Sequence, residues 1–111
     1  MLCVVSIVDS VSATSMPINE FVIYRSKHNY DMKQVLIVCD ESIPSNVIIP
    51  NDIQVILTGN NRKKIRKVVK EVLENYKEYQ IVFHMHHQKS ALVFLSSTIG
   101  MGINKQSLYT V

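Results

Sequence analysis

The segment Leu2 to Val8, read as Leu-Cys-Val-Val-Ser-Ile-Val, is almost wholly apolar and rich in β-branched residues. A run of that kind has no polar face to turn to water. It predicts a strand buried on both faces, and such strands belong in parallel sheets covered by helices. Val35 to Cys39 and Ile53 to Leu57 repeat the pattern, Ile81 to Phe83 makes a fourth strand, and Ser107 to Val111 begins or completes a fifth.

Helical spacing separates these runs. Ile65, Val68, Val69, Val72, Leu73 and Tyr76 form one apolar stripe with charges elsewhere, the clearest element in the chain. Pro17 suits the first turn of an earlier helix, with Thr14 or Ser15 near its cap, Ile18, Phe21 and Val22 as its stripe, and the polar stretch Arg25 to Asp31 closing it. Ser90 to Ile99 reads as a nearly all-apolar helix stopped by Gly100 or Gly102. Asp9 to Ser15, Glu41 to Asn51 and His84 to Gln88 read as loops, and Thr58-Gly59-Asn60 as a turn. The order β-α-β-β-α-β-α-β predicts an α/β fold, a three-layer Rossmann-like domain with a mainly parallel sheet of about five strands. Binding sites in such sheets lie at the carboxyl ends of the strands, where strand order reverses. Here those ends carry Asp9 to Met16 and His84 to Gln88.

With 111 residues, 47% of them hydrophobic and 19% charged, the chain has the size and apolar content of one domain with a core, not of a disordered segment. Its three glycines, Gly59, Gly100 and Gly102, exclude both G-x-G-x-x-G and a Walker P-loop. Cys3 and Cys39 make no disulfide framework and lack a C-x-x-C context, so buried free thiols are expected rather than a redox pair. The apolar runs fall far short of the ~20 residues that span a bilayer. Met1 leads directly into Leu2-Cys3-Val4-Val5 without a basic n-region, which argues against a signal peptide and for a cytoplasmic protein.

The net charge of +3 is unevenly placed. Between Asn61 and Tyr79 seven bases stand against three acids; elsewhere five stand against six. This basic helix has three readings: a solvated face with Lys67–Glu71 and Lys70–Glu74 support, attraction to anionic lipid headgroups through Arg62, Lys63, Arg66, Lys67 and Lys70, or nucleic acid. Lacking interleaved aromatics beyond Tyr76 and Tyr79, and without a matching motif, the patch is not read as a nucleic-acid site. From Tyr79 to Val111 the only charges are Lys89 and Lys105. A helix so apolar is expected to lie beneath another domain or subunit. The chain also stops directly after a strand-like run, so the expectation is one domain, residues 1–111, cut from a larger protein.

His84, Met85, His86 and His87 are the densest cluster of functional side chains. At strand spacing His84 and His86 share a face, which allows a His-x-His pair. A zinc site needs a third ligand, and only His28 or distant carboxylates remain, so no metal is assigned. Asp9 and Ser10 end the first strand and either hold a hydroxyl or satisfy loop amides. A receiver domain is excluded, because Thr58-Gly59 stands where its phosphorylated aspartate belongs.

Several segments together carry a resemblance: Ile7-Val8-Asp9-Ser10, Lys33-Gln34-Val35-Leu36-Ile37-Val38, Ile53-Gln54-Val55 and the basic helix. Tyr79-Gln80-Ile81-Val82-Phe83-His84-Met85-His86 and Leu108-Tyr109-Thr110-Val111 complete it. Over essentially its whole length the chain resembles the N-terminal half of GT-B glycosyltransferases, the retaining "glycosyl transferases group 1", which read D-I-V-H-x-H at the fourth strand and T-V-H after the fifth. Ser12-Ala13-Thr14-Ser15 stands where the family has a glycine pair, and Gln80 replaces its aspartate. The resemblance implies an acceptor-side domain that transfers sugar from a nucleotide-sugar donor only together with a C-terminal donor-binding domain; this chain would hold no cofactor itself and be inactive alone. It places Ser12, Thr14, Ser15, His84 and His86 in the interdomain cleft, with Asp9 and Lys89 as further candidates. It also implies a sugar or lipid-linked acceptor, or a cell-surface polysaccharide, and work at the inner face of the membrane. The competing reading is a stand-alone Rossmann-like binding or regulatory module that forms a homodimer through the apolar helix.

Overall fold

The computed structural model describes residues 1–8, 17–23, 27, 31–43, 48–86 and 88–110. Five strands, β1 (Leu2–Val8), β2 (Met32–Val38), β3 (Ile53–Leu57), β4 (Gln80–Met85) and β5 (Leu108–Thr110), form one sheet. Every pairing is parallel and the order is β3-β2-β1-β4-β5. The chain thus builds outward from β1 to β3, then returns to the other side of β1 for β4 and β5. With right-handed crossovers, that reversal puts the helices before and after it on opposite faces. Helix α1, over residues 17–23, lies on one face; α2 (Arg62–Asn75) and α3 (Gln88–Ser97) cover the other. The result is the three-layer Rossmann-like α/β arrangement that the pattern of runs predicts.

Strand alternation divides the core in two. Cys3, Val5, Ile7, Val35, Ile37 and Phe83 face α2 and α3, packed against Ile65, Val69 and Phe94. Val4, Val8, Leu36, Val38 and Val82 face the opposite way, toward Ile18 and Phe21 of α1. Ile43 and Ile49, from the connection between β2 and β3, also pack on this second face. Cys3 and Cys39 are buried and form no disulfide, and burial pushes the Cys3 thiol up to about 12.

Helix α2 begins where Asn61 accepts a hydrogen bond from the Lys64 amide at 3.1 Å, an N-cap. Before it, Gly59 turns at φ +57°, a left-handed conformation that disfavours residues with a Cβ. Helix α3 starts and ends two residues earlier than its sequence reading. Ser90, Phe94 and Ser97 point inward, while Leu92 and Leu95 are 63% and 40% exposed, and Ile99, just beyond the helix, is 73% exposed. The buried Ser97 hydroxyl bonds back to the Val93 carbonyl at 2.6 Å, so a small polar residue fits closely against the sheet with its donor satisfied. Leu92, Leu95 and Ile99 form the outer stripe. Arg66 of α2 ties the two helices: its Nη1 donates to the carbonyls of Ile99 at 2.8 Å and Ser97 at 3.3 Å, at the carboxyl end of α3.

β4 also runs past its expected end. His84 and Met85 belong to the strand, not to a loop. His84 is in register with Ser6 of β1 on one side and Tyr109 of β5 on the other, so its backbone is held in a ladder between two strands. β2 likewise starts at Met32, three residues earlier than the apolar run, because Gln34 is buried rather than solvated.

Candidate functional site

Helix α1 and the β2–β3 connection cover β2 and β3, but the same face of the sheet continues across β1, β4 and β5. There lies a groove of about 640 Å³, within the range typical of small-molecule sites. Register explains its lining. Along β1 the residues on this face are Leu2, Val4 and Ser6; opposite them on β4 stand Gln80, Val82 and His84. Phe21 and Met32 add apolar wall, and Tyr109 stands at the β5 side. His86, one residue beyond β4, also lines it, its amide bonded to the Ile7 carbonyl at 3.0 Å. This is the point between β1 and β4 where strand order reverses.

Ser6, His84 and His86 stand toward the carboxyl ends of the strands, while Gln34, in register with Val4, and Gln80, the first residue of β4, lie nearer the amino ends. The rings of His84 and His86 are 6.3 Å apart between centroids, and Tyr109 meets His84 edge to face at 5.5 Å. Gln34 is 2% exposed; its Nε2 donates to Ser6 Oγ and to the Pro17 carbonyl, each at 3.2 Å. A carbonyl only accepts, which fixes which end of the amide is nitrogen. Gln34 Oε1 is left buried without a hydrogen-bond partner among the described residues, as is His86 Nε2. Two unsatisfied buried polar atoms in one groove are uncommon, since each costs free energy to bury unpaired.

Burial lowers the pKa of His84, partly opposed by Glu20. It lowers that of His86 too, reinforced by His84 and opposed by Glu20. Both imidazoles are therefore neutral at pH 7, and each offers one donor and one acceptor. Among the described lining residues Glu20 carries the sole charged side chain, Met1 brings the amino terminus, and no lysine or arginine is present. Neutral imidazoles, a serine hydroxyl and a buried amide oxygen are groups that suit an uncharged, hydroxyl-bearing ligand. No group of three metal-ligating side chains occurs among the described residues.

The structure thus joins His84 and His86 as their spacing predicts. Lys89 is exposed at the start of α3, and it does not line the groove. Asp9, Ser12, Thr14 and Ser15 lie outside the described residues. Arg62, Lys63, Arg66, Lys67 and Lys70 are all exposed on α2, whose core contacts lie on the sheet face opposite the groove. Ser6, Glu20, Gln34 and Tyr109 were not singled out by the sequence. Ser6 and Gln34 each interrupt an apolar strand on the inward-facing register, which is the available signal for them.

No protein family, no curated protein and no solved structure matches the chain. Among the described residues no helix is long and apolar enough to cross a membrane.

Proposed function

We propose that the chain is the acceptor-side domain of a sugar transferase of the GT-B type, which binds the acceptor in the groove and works with a C-terminal domain that binds the nucleotide-sugar donor. One observation carries this reading: two neutral imidazoles, His84 and His86, stand at the strand-order reversal beside buried Ser6 and Gln34, with no lysine or arginine among the described groove residues. Neutral imidazoles and an amide oxygen are suited to sugar hydroxyls, which both donate and accept. The diphosphate of the donor calls for cations or helix N-termini, and that demand falls to the other domain. Isolated, the chain transfers no sugar. Its test is a titration with simple methyl glycosides, followed through the imidazole resonances of His84 and His86. Saturable shifts at both rings support the reading, and rings silent toward every glycoside overturn it.

The protein works, on this reading, at the cytoplasmic face of the membrane. The exposed cations Arg62, Lys63, Lys67 and Lys70 of α2, and the exposed Leu92, Leu95 and Ile99 at the neighbouring α3, support contact with anionic lipid. That exposed stripe alone favours a second reading, a binding module that dimerises through α3. Sedimentation equilibrium separates the two, because only the second requires a dimer in the absence of lipid.

A further inference from the structure

Glu20 gives the groove a sign. Helix α1 is held over the sheet where the Pro17 carbonyl accepts from Gln34 Nε2 at 3.2 Å. Glu20 follows one helical turn later and so shares that face, and both residues line the groove. Its carboxylate acts on the rings of His84 and His86 alike, opposing the effect of burial. No ion pair engages it among the described residues. The Met1 amino terminus lines the same groove, but beside Leu2, four residues before Ser6 on β1. At 3.3 Å per residue that is about 13 Å short of the rung where Ser6 pairs with His84. Gln34, rooted level with Val4, reaches Ser6 with its amide. Its Oε1, like His86 Nε2, is buried and unpartnered among the described residues. The imidazole end of the groove thus combines one carboxylate with vacant hydrogen-bonding atoms.

Resting on the acceptor-domain reading, we infer that the acceptor is an amino sugar, whose protonated amine stands beside Glu20 while its hydroxyls meet Gln34 Oε1, His84 and His86. An ammonium brings three donors and a positive charge, and a carboxylate is the acceptor that answers both. The hydroxyls of a plain glycoside fit the imidazoles equally well but leave Glu20 to water. Glu20 is exposed, so the gain is that of a solvated ion pair, roughly five-fold in affinity. The attraction is local. With a net charge of +3 the chain as a whole disfavours cations, so a preference for the amine has its source in Glu20.

The probes are methyl β-D-glucoside, its 2-amino-2-deoxy and 6-amino-6-deoxy analogues, and cyclohexylamine. Each is titrated at pH 7 into the full chain and followed through the imidazole resonances of His84 and His86. At least one amino glycoside is expected to saturate both rings at roughly one-fifth the concentration that methyl glucoside needs. Glu20→Gln should bring the amino and methyl glycosides to the same affinity as each other. Glu71→Gln, an equal loss of charge on the exposed face of α2, should keep the preference. If both amino glycosides bind no more tightly than methyl glucoside, the amine site is refuted and the sugar reading stands. If cyclohexylamine matches them while methyl glucoside leaves both rings silent, the sugar reading itself fails and takes the inference with it. A preference that survives Glu20→Gln, or vanishes in Glu71→Gln, has its source elsewhere and also overturns the inference.

Discussion

His84 and Tyr109 are register partners in adjacent parallel strands, and their rings meet edge to face at 5.5 Å on the open face of the sheet. Tyr109 is 48% exposed there, on an edge strand of three residues. An aromatic face beside a neutral imidazole offers a stacking platform next to hydrogen-bonding groups, the combination that holds a sugar ring in place. Tyr109→Ala should weaken glycoside binding at the groove several-fold while leaving the thermal unfolding midpoint nearly unchanged, because an exposed ring contributes little to the core. Binding isotherms of the two proteins, read beside their melting curves, decide this. Equal affinities would remove Tyr109 from the site.

The histidines make stability depend on pH with a definite sign. His84 and His86 have folded-state pKa values below the ordinary 6.5, chiefly through burial. Below pH 6.5 the unfolded chain therefore binds more protons than the folded one, so stability is complete above that value and declines as pH falls toward the lowered values. Urea midpoints at pH 7.5 and 5.5 should differ, and His84→Gln with His86→Gln should shrink the difference. An unchanged difference in the double variant would contradict the account.

Arg66 caps α3 from a neighbouring helix. Its loss leaves the Ile99 and Ser97 carbonyls without their cation, and Arg66→Ala should cost about 1 kcal/mol. Lys67→Ala, on the same exposed face of α2, should fall within about 0.5 kcal/mol of the parent. Denaturant curves of the two variants give the comparison, and equal effects would mean the contact adds nothing.

Cys3 and Cys39 should resist thiol reagents in the native protein. Both are buried, and with its pKa pushed up to about 12 Cys3 has almost no thiolate at neutral pH. A colorimetric thiol assay should find neither cysteine before unfolding and both after it.

The regular elements were legible because their signals are local. The apolar run of β1 and the stripe Ile65, Val68, Val69 and Val72 of α2 appear in the structure as the periodicity predicts. The facing of helix α3 was not legible, because hydrophobicity alone does not say which face is inward: Ser90 and Ser97 are buried, and Leu92 faces out. The groove was legible only in part. His84 and His86 lie two apart in sequence and declare themselves. Ser6, Gln34 and Tyr109 come together through the pairing of four strands, which no local window contains. Gln34 was hidden further by a polar side chain that looks solvent-facing, although its amide is tied to Ser6 and Pro17 in the interior.

The central claim is that uncharged hydroxyl-bearing ligands, and not phosphates, are recognised at His84 and His86. Heteronuclear NMR of the imidazole groups, with methyl glycosides in one series and inorganic pyrophosphate in another at equal ionic strength, tests it most directly. The account predicts saturable shifts at both rings with at least one glycoside and none with pyrophosphate. Saturable shifts with pyrophosphate, and none with any glycoside, would contradict it.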